Sequence, residues 1–229
     1  MIEKAIQIEQ QYIQDRVDGI ETAPLIDILK EYGFDSLEEY YKQKTEFEFS
    51  SLDFHEMNTT SDVAFQVIGQ ILRNKKPILL FEDHATPFIY HGDEEYNHEA
   101  AEKLGITVYE GGYMGGTIVG GIGDLSIGIF FPSHIEYRSK YFLNKLVEIF
   151  QKHNVNAEIN NNDVMIDGKK VIGTACLETE NYYGFVAYVS FSDKSELVKQ
   201  VCGDAVKQPG FITGMTLEEL EEELREWLL

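Results

Sequence analysis

Apolar residues recur along this chain with a helical period in some stretches and a strand period in others, and the switches between them mark its elements. Ile6, Ile8, Tyr12 and Ile13 predict an amphipathic helix near the start. Ser36-Leu37-Glu38-Glu39 has the form of a capping box and predicts a second short helix through Tyr41. Residues 1–48 are therefore expected to form a helical N-terminal extension, with the main domain at 49–229. Two short helices bury too little surface alone, so the extension is expected to pack on the main body.

Thr60-Ser61-Asp62 offers N-caps for a helix carrying Val63, Ala64, Val67, Ile68, Ile71 and Leu72, which Pro77 stops. Pro77 to Phe81, Pro87 to Tyr90 and Thr107 to Tyr109 are short apolar runs that predict strands, with a short helix over His98 to Leu104. A glycine-rich tract from Gly111 to Gly123 precedes an apolar strand from Leu125 to Phe131. Residues 134–153 predict the clearest helix, with Tyr141, Phe142, Leu146, Val147 and Phe150 on one stripe. Asp167-Gly168 between Val164-Met165-Ile166 and Lys170-Val171-Ile172 is a two-residue hairpin signal. A strand follows from Phe185 to Phe191, and Thr216-Leu217-Glu218-Glu219 caps a final helix that turns Leu217, Leu220, Leu224, Trp227 and Leu228 inward. Helices and strands mix without strict β-α alternation, so the expected class is α+β with a mixed sheet flanked by helices.

Forty acidic against 19 basic residues leave a net charge of −21. Such a surface repels phosphate backbones, so no nucleic-acid partner is expected, although screening over about 8 Å leaves room for one local cationic pocket. No apolar run reaches the ~18 residues of a membrane span. Met1-Ile2-Glu3-Lys4-Ala5 lacks the basic start and apolar core of a signal peptide. Two cysteines, Cys176 and Cys202, are too few for a disulfide framework, and the expected location is cytoplasmic. The six histidines show no paired metal-binding spacing, so a zinc site is not expected.

Two stretches carry candidate chemistry. Glycines from Gly111 to Gly123 let backbone N–H groups approach a ligand closely, but no Gly-Lys-Ser/Thr follows, and a plain glycine loop fits the composition equally well. Asn162-Asp163, the hairpin and Lys170-Val171-Ile172-Gly173-Thr174-Ala175 place a lysine beside small residues. That lysine either reaches a buried anion or joins Lys169 on a solvated hairpin face. Asp163 can hold a magnesium ion together with substrate phosphates.

In this order and spacing, the two stretches resemble the lipoate–protein ligase family, which belongs with biotin–protein ligases and octanoyltransferases. Gly115-Gly116-Thr117-Ile118-Val119-Gly120-Gly121-Ile122-Gly123-Asp124-Leu125 is similar to its glycine-rich lipoate-binding segment. Asn162-Asp163 with Asp167-Gly168-Lys169-Lys170-Val171-Ile172-Gly173-Thr174-Ala175 is similar to its catalytic-lysine segment. The resemblance runs from about residue 50 to 228.

It implies a class II synthetase and biotin–lipoate ligase type of domain. Such ligases activate lipoate, or another medium-chain acyl acid, with ATP and magnesium, and pass the acyl group from its adenylate to a lysine of a lipoyl carrier protein. Lys170 falls at the family's catalytic lysine. Gly115, Gly116, Thr117, Gly120 and Gly121 would line the acyl site, with Gly173, Thr174 and Ala175 on the other wall. Asn162 would lie near the nucleotide, and Asp163 would hold the magnesium ion.

The resemblance also has departures. Where family ligases carry arginines the chain reads Glu110, Gly111 and Gly112, and a common histidine position reads Gly120. Cys176 does not stand where the cysteine-dependent branches place their nucleophile. The chain ends soon after its last helix, at Leu229, whereas family ligases often carry a C-terminal accessory domain. A separate accessory protein would then supply that part, or only half of the reaction is present. The alternative reading is a non-catalytic acyl- or protein-binding homologue that has lost phosphate chemistry, favoured by Glu110 and by the repulsion of acidic carriers.

Overall fold

Three helices form in the N-terminal extension: α1 (Ile2–Val17), α2 (Leu25–Lys30) and α3 (Leu37–Ser50). Ser36 caps α3 by accepting the Glu39 N–H at 3.1 Å, while Glu39 accepts the Asp35 N–H at 3.1 Å. The helix runs on to Ser50 instead of stopping near Tyr41, because no glycine or proline intervenes. Ala5, Leu29, Phe34 and Tyr40 make a small core, with Phe34 and Tyr40 edge to face at 5.2 Å. The buried Glu9 carboxylate accepts from the Tyr40 hydroxyl at 2.9 Å and from Lys44 at 2.7 Å.

The structure, a computed structural model, describes residues 1–60, 76–110, 116–132, 139–178, 182–204 and 209–229. The chain divides into two units, Met1–Leu52 and Asp53–Leu229. The helix expected over residues 63–72 lies outside the described residues, as do Gly111, Gly112 and Gly115 and the start of the helix expected from residue 134.

The second unit contains β1 (His55–Thr60), β2 (Ile78–Asp83), β3 (Phe88–His91), α4 (His98–Lys103), β4 (Thr107–Glu110), β5 (Ile118–Gly120) and β6 (Leu125–Pro132). It continues with α5 (Ser139–Lys152), β7 (Ala157–Asn160), β8 (Asp163–Ile166), β9 (Lys169–Glu178), β10 (Tyr182–Val189), α6 (Ser195–Cys202) and α7 (Leu217–Leu228). Seven strands form one sheet in the order β1-β2-β6-β10-β9-β8-β7. Among the described strands of this sheet only β1 and β2 pair in parallel, so the sheet is mixed, as expected. A small sheet, β4-β3-β5, stands apart from it and packs on α4 and α6 through Ile89, Ala101, Ile106, Val119, Val198 and Val201.

One face of the large sheet is covered by α5 and α7. Phe142 of α5 stacks on Phe185 at 4.9 Å, and Arg225 of α7 lies over the Phe81 ring at 5.0 Å. Asp167 and Gly168 both take positive φ, 51° and 74°, giving the tight hairpin between β8 and β9. Thr216 and Glu219 complete their capping box at the start of α7. Strand β10 begins at Tyr182 and ends at Val189, earlier than the expected 185–191. The N–H groups of Phe191 and Ser192 turn instead to the Asp124 carboxylate, at 2.8 and 3.1 Å. Among the described residues no helix is long and apolar enough to cross a membrane.

Candidate active site

The other face of the large sheet carries a polar row beside a buried apolar cluster of Ile78, Leu80 and Phe130. Glu82 of β2 stands opposite Ser126 of β6, which stands opposite Tyr188 of β10. Tyr188 in turn faces Gly173 of β9, and Gly173 faces Asp163 of β8. Directly opposed residues share a face, so one side of five strands is lined by these positions.

Lys170 joins this row through an irregularity. The register between β8 and β9 shifts at Val164/Met165, leaving one extra residue in β9. That bulge brings Lys170 and Gly173, three apart in sequence, to the same side. The Lys170 ammonium pairs with Asp163 at 2.9 Å, and a Cβ on Gly173 would come within 2.9 Å of its Cε and 3.4 Å of Ile118. A side chain at 173 would displace the end of the Lys170 side chain from this position. Behind it, Gly210 donates its N–H to the Lys170 carbonyl at 2.8 Å and fixes the strand there.

The glycine tract crosses above the row. A Cβ on Gly120 would come within 2.2 Å of the Phe88 ring and 2.8 Å of the Tyr188 hydroxyl. The Gly121 N–H reaches both the Tyr188 hydroxyl and the Asp124 carboxylate at 3.2 Å. Asp124 is buried and also accepts from Tyr188, from Ser192 and from Lys194. Burial lowers the Lys194 pKa from its ordinary value, against the attraction of Asp124. Burial and the neighbouring Asp124 carboxylate push the Tyr188 phenol well up. This network locks the glycine tract onto the end of the sheet.

Close by, the His84 ring lies 4.3 Å from Phe88, and its Nε2 is 2.8 Å from the Ser126 hydroxyl. Burial pushes the His84 pKa down to about 4 and the Glu82 pKa up to about 7.

A protein-family model for the lipoyl protein ligase A/B catalytic domain matches residues 70–224. The chain belongs to that family. The match lies inside the second unit and leaves the three N-terminal helices outside it. The fold of the family's solved members is shared as well. A bipartite lipoate protein ligase from Thermoplasma acidophilum, solved in a study of that ligase and its E2 lipoyl domain, superposes with a TM-score of 0.63 at 19% identity, covering 77% of this chain and 81% of that one. A lipoate-protein ligase A bound with ATP gives 0.64 at 18%, covering 77% and 83%. P. falciparum LipL1 in complex with lipoate gives 0.64 at 12%, covering 76% and 59%. No curated protein matches the chain by sequence.

Against this family background, the structure brings together Lys170, Asp163 and Gly173 with the Ile118–Gly121 segment, and leaves other expected site residues elsewhere. Thr174 points to the opposite side of β9, where its hydroxyl donates to the Asn162 carbonyl at 2.6 Å. Asn162 is exposed in the turn between β7 and β8. Ala175 shares the Gly173 face and is half-buried. Thr117 is buried, taking an N–H from Gly92 at 3.0 Å and donating its hydroxyl to the Glu94 carbonyl at 2.6 Å, while the Glu94 carboxylate closes over Gly116. Glu110, at a position where the resemblance leads one to expect arginine, accepts from Tyr96 at 3.0 Å and meets His91 Nδ1 at 2.6 Å. The His91 contact, with help from Tyr96, holds the Glu110 carboxyl below its usual range.

Sequence reasoning missed Glu82, His84, Ser126, Tyr188 and Lys194. One signal was available: Glu82 and His84 continue the alternation of Ile78 and Leu80, so polar groups occupy positions of one buried strand face.

Proposed function

We propose that this chain activates the carboxylate of lipoate, or of a related medium-chain acid, as an acyl-adenylate and transfers the acyl group to a lysine of a lipoyl carrier protein. The observation that carries this reading is the Lys170 ammonium, held by Asp163 beside Gly173 on the polar row of a lipoyl ligase domain. Solved relatives that bind lipoate and ATP, and one studied with its lipoyl domain, support the same ligand classes.

In the first step a carboxylate oxygen attacks the α-phosphorus of ATP, the bond to the β-phosphate bridging oxygen breaks, and pyrophosphate leaves. Charge builds on the α-phosphate oxygens as this happens. A fixed ammonium stabilises that charge most in a site screened from water. Lys170 is built for this, because Gly173 leaves its stem a groove and Asp163 fixes its direction. In the second step the carrier lysine amine attacks the acyl carbon, AMP leaves, and the amine proton is lost to solvent.

Among the described residues no three His, Cys, Asp or Glu side chains cluster as a metal site. Asp163 fits a magnesium ion in the way that ion usually binds, with one carboxylate and the remaining positions filled by phosphate oxygens and water. Asn162, one residue away, is the proposed nucleotide contact, and an accessory protein is the proposed source of any part this chain lacks.

Glu110 favours a second reading, an acyl-binding homologue without phosphate chemistry, because it places a carboxylate where a phosphate-binding arginine is expected. Incubating the chain with lipoate, ATP, magnesium and a lipoyl carrier domain separates the two. The first reading predicts a carrier heavier by one lipoyl group, lost on Lys170→Ala. An unmodified carrier, even when pre-formed lipoyl-adenylate is supplied, would refute it and leave binding alone.

A further inference from the structure

One buried carboxylate gathers donors from several parts of the second unit. The Asp124 side chain has no exposed surface. Its Oδ1 accepts from the Phe191 and Ser192 N–H groups at 2.8 and 3.1 Å and from the Ser192 hydroxyl at 3.1 Å. Its Oδ2 accepts from the Gly121 N–H at 3.2 Å, from the Tyr188 hydroxyl and from Lys194 at 2.5 Å. A carboxylate offers about four lone-pair directions, so this one is saturated.

The donors belong to the end of the glycine tract, to β10 and the residues after it, and to Lys194 at the N-terminus of α6. Asp124 also closes the turn from the small sheet into the large one, donating its N–H to the Gly121 carbonyl at 3.2 Å, with Gly123 at φ 83°. Helix α6 already packs on the small sheet through Val198 and Val201 against Ile89 and Val119. A buried ion pair adds little stability beyond such apolar contacts, but it can select one geometry. Here that geometry is the height of β5 over the polar row. The Tyr188 hydroxyl takes the Gly121 N–H at 3.2 Å and lies against Gly120. Tyr188 opposes Gly173 in register, and a Cβ at Gly173 would meet both Lys170 Cε and Ile118 Cδ1, at 2.9 and 3.4 Å.

Resting on the acyl-acid reading above, we infer that Asp124, Tyr188 and Lys194 are positioning residues for the acyl acid, which hold Ile118–Gly121 at a fixed height over Lys170 before the acid arrives. Strand β5 is three residues long, pairs with β3 at the edge of the small sheet, and runs into Gly120, Gly121 and Gly123. Glycines leave such a segment free to take many conformations. Without its anchor, only a fraction of molecules hold the segment where the acid fits, and the apparent affinity falls by that fraction.

Calorimetric titration of the full chain with lipoate tests this, because it separates affinity from the amount of competent protein. Tyr188→Phe keeps the ring and removes only the hydroxyl that joins Gly121 to Asp124. The expected result is a Kd for lipoate about tenfold higher at unchanged stoichiometry. Thr216→Ala, which weakens the cap of α7, is expected to bind as the wild type does. Should Tyr188→Phe not fold, Ser192→Ala decides, with a Kd about threefold higher from the loss of one donor to Asp124. A Kd unchanged in the folded variant, or a fall in stoichiometry alone, would make the Asp124 network purely structural and overturn the inference. Equal weakening in Thr216→Ala would overturn it too, since any loss of stability would then suffice. Each of these outcomes leaves the acyl reading standing. A wild type that binds no lipoate would overturn both.

Discussion

The two faces of the seven-stranded sheet share one backbone and differ in almost everything else. Leu79, Phe81, Ile127, Ile129, Phe131, Phe185, Ala187 and Ile172 alternate onto the face covered by α5 and α7, and all are buried. On the other face Glu82, Ser126, Tyr188, Gly173 and Asp163 stand in one row, and Lys170 is turned onto it by a bulge. The first face stabilises the fold. The second buries Ile78, Leu80 and Phe130 as well, but sets buried polar groups and a glycine beside them, and these weaken the fold. Such positions survive where their chemistry is used.

Substitutions can break this division of labour, beginning with the largest effect. Phe185→Ala removes a fully buried ring stacked on Phe142 and is expected to cost about 3–5 kcal/mol in denaturant unfolding. Lys170→Ala leaves the buried Asp163 carboxylate without its cation and is expected to cost about 1–3 kcal/mol in the same measurement, while slowing acyl transfer in folded protein about 10²–10³-fold, the scale of one lost charge-stabilising group.

Glu82 gives a pH-dependent effect. Its folded pKa, raised to about 7 by burial, lies above the unfolded value, so the native state binds more protons between about pH 4.5 and 7. The wild type therefore loses stability relative to Glu82→Gln as pH rises through that window, by up to about 3 kcal/mol above pH 7. Thermal melts of both proteins at pH 4.5, 6 and 8 read this directly. A gap that does not widen with pH would contradict it.

Gly120→Ala forces a Cβ into the Phe88 ring and is expected to cost about 1–3 kcal/mol. Thr216→Ala, at the cap of α7 and far from the polar row, should cost only about 1 kcal/mol and leave transfer unchanged in folded protein.

The helix-covered face was legible in the sequence because its signals are local. The stripe of Phe142, Leu146 and Phe150, the Thr216 capping box and the Asp167-Gly168 turn each declare themselves within a few residues. The family was legible too, through the order of the glycine tract and the Lys170 hairpin along the chain. The side of the strand on which Lys170 lies was not, since strict alternation puts residues 170 and 173 on opposite faces and only the bulge reunites them. Glu82, Ser126 and Tyr188 meet through pairings between strands distant in sequence, which no local pattern contains. Asp124 was read as part of a glycine segment, whereas it anchors Tyr188, Ser192 and Lys194 from three later positions. The second helix of the N-terminal unit, α2, is only six residues long, too short for a periodic signal.

The central claim is that the polar face carries carboxylate activation through Lys170. Lipoate-dependent exchange of pyrophosphate into ATP tests it most directly, with wild type and Lys170→Ala compared at equal folded concentration. The account predicts exchange that requires lipoate and falls at least about a hundredfold in Lys170→Ala. Undiminished exchange in the folded variant would contradict it.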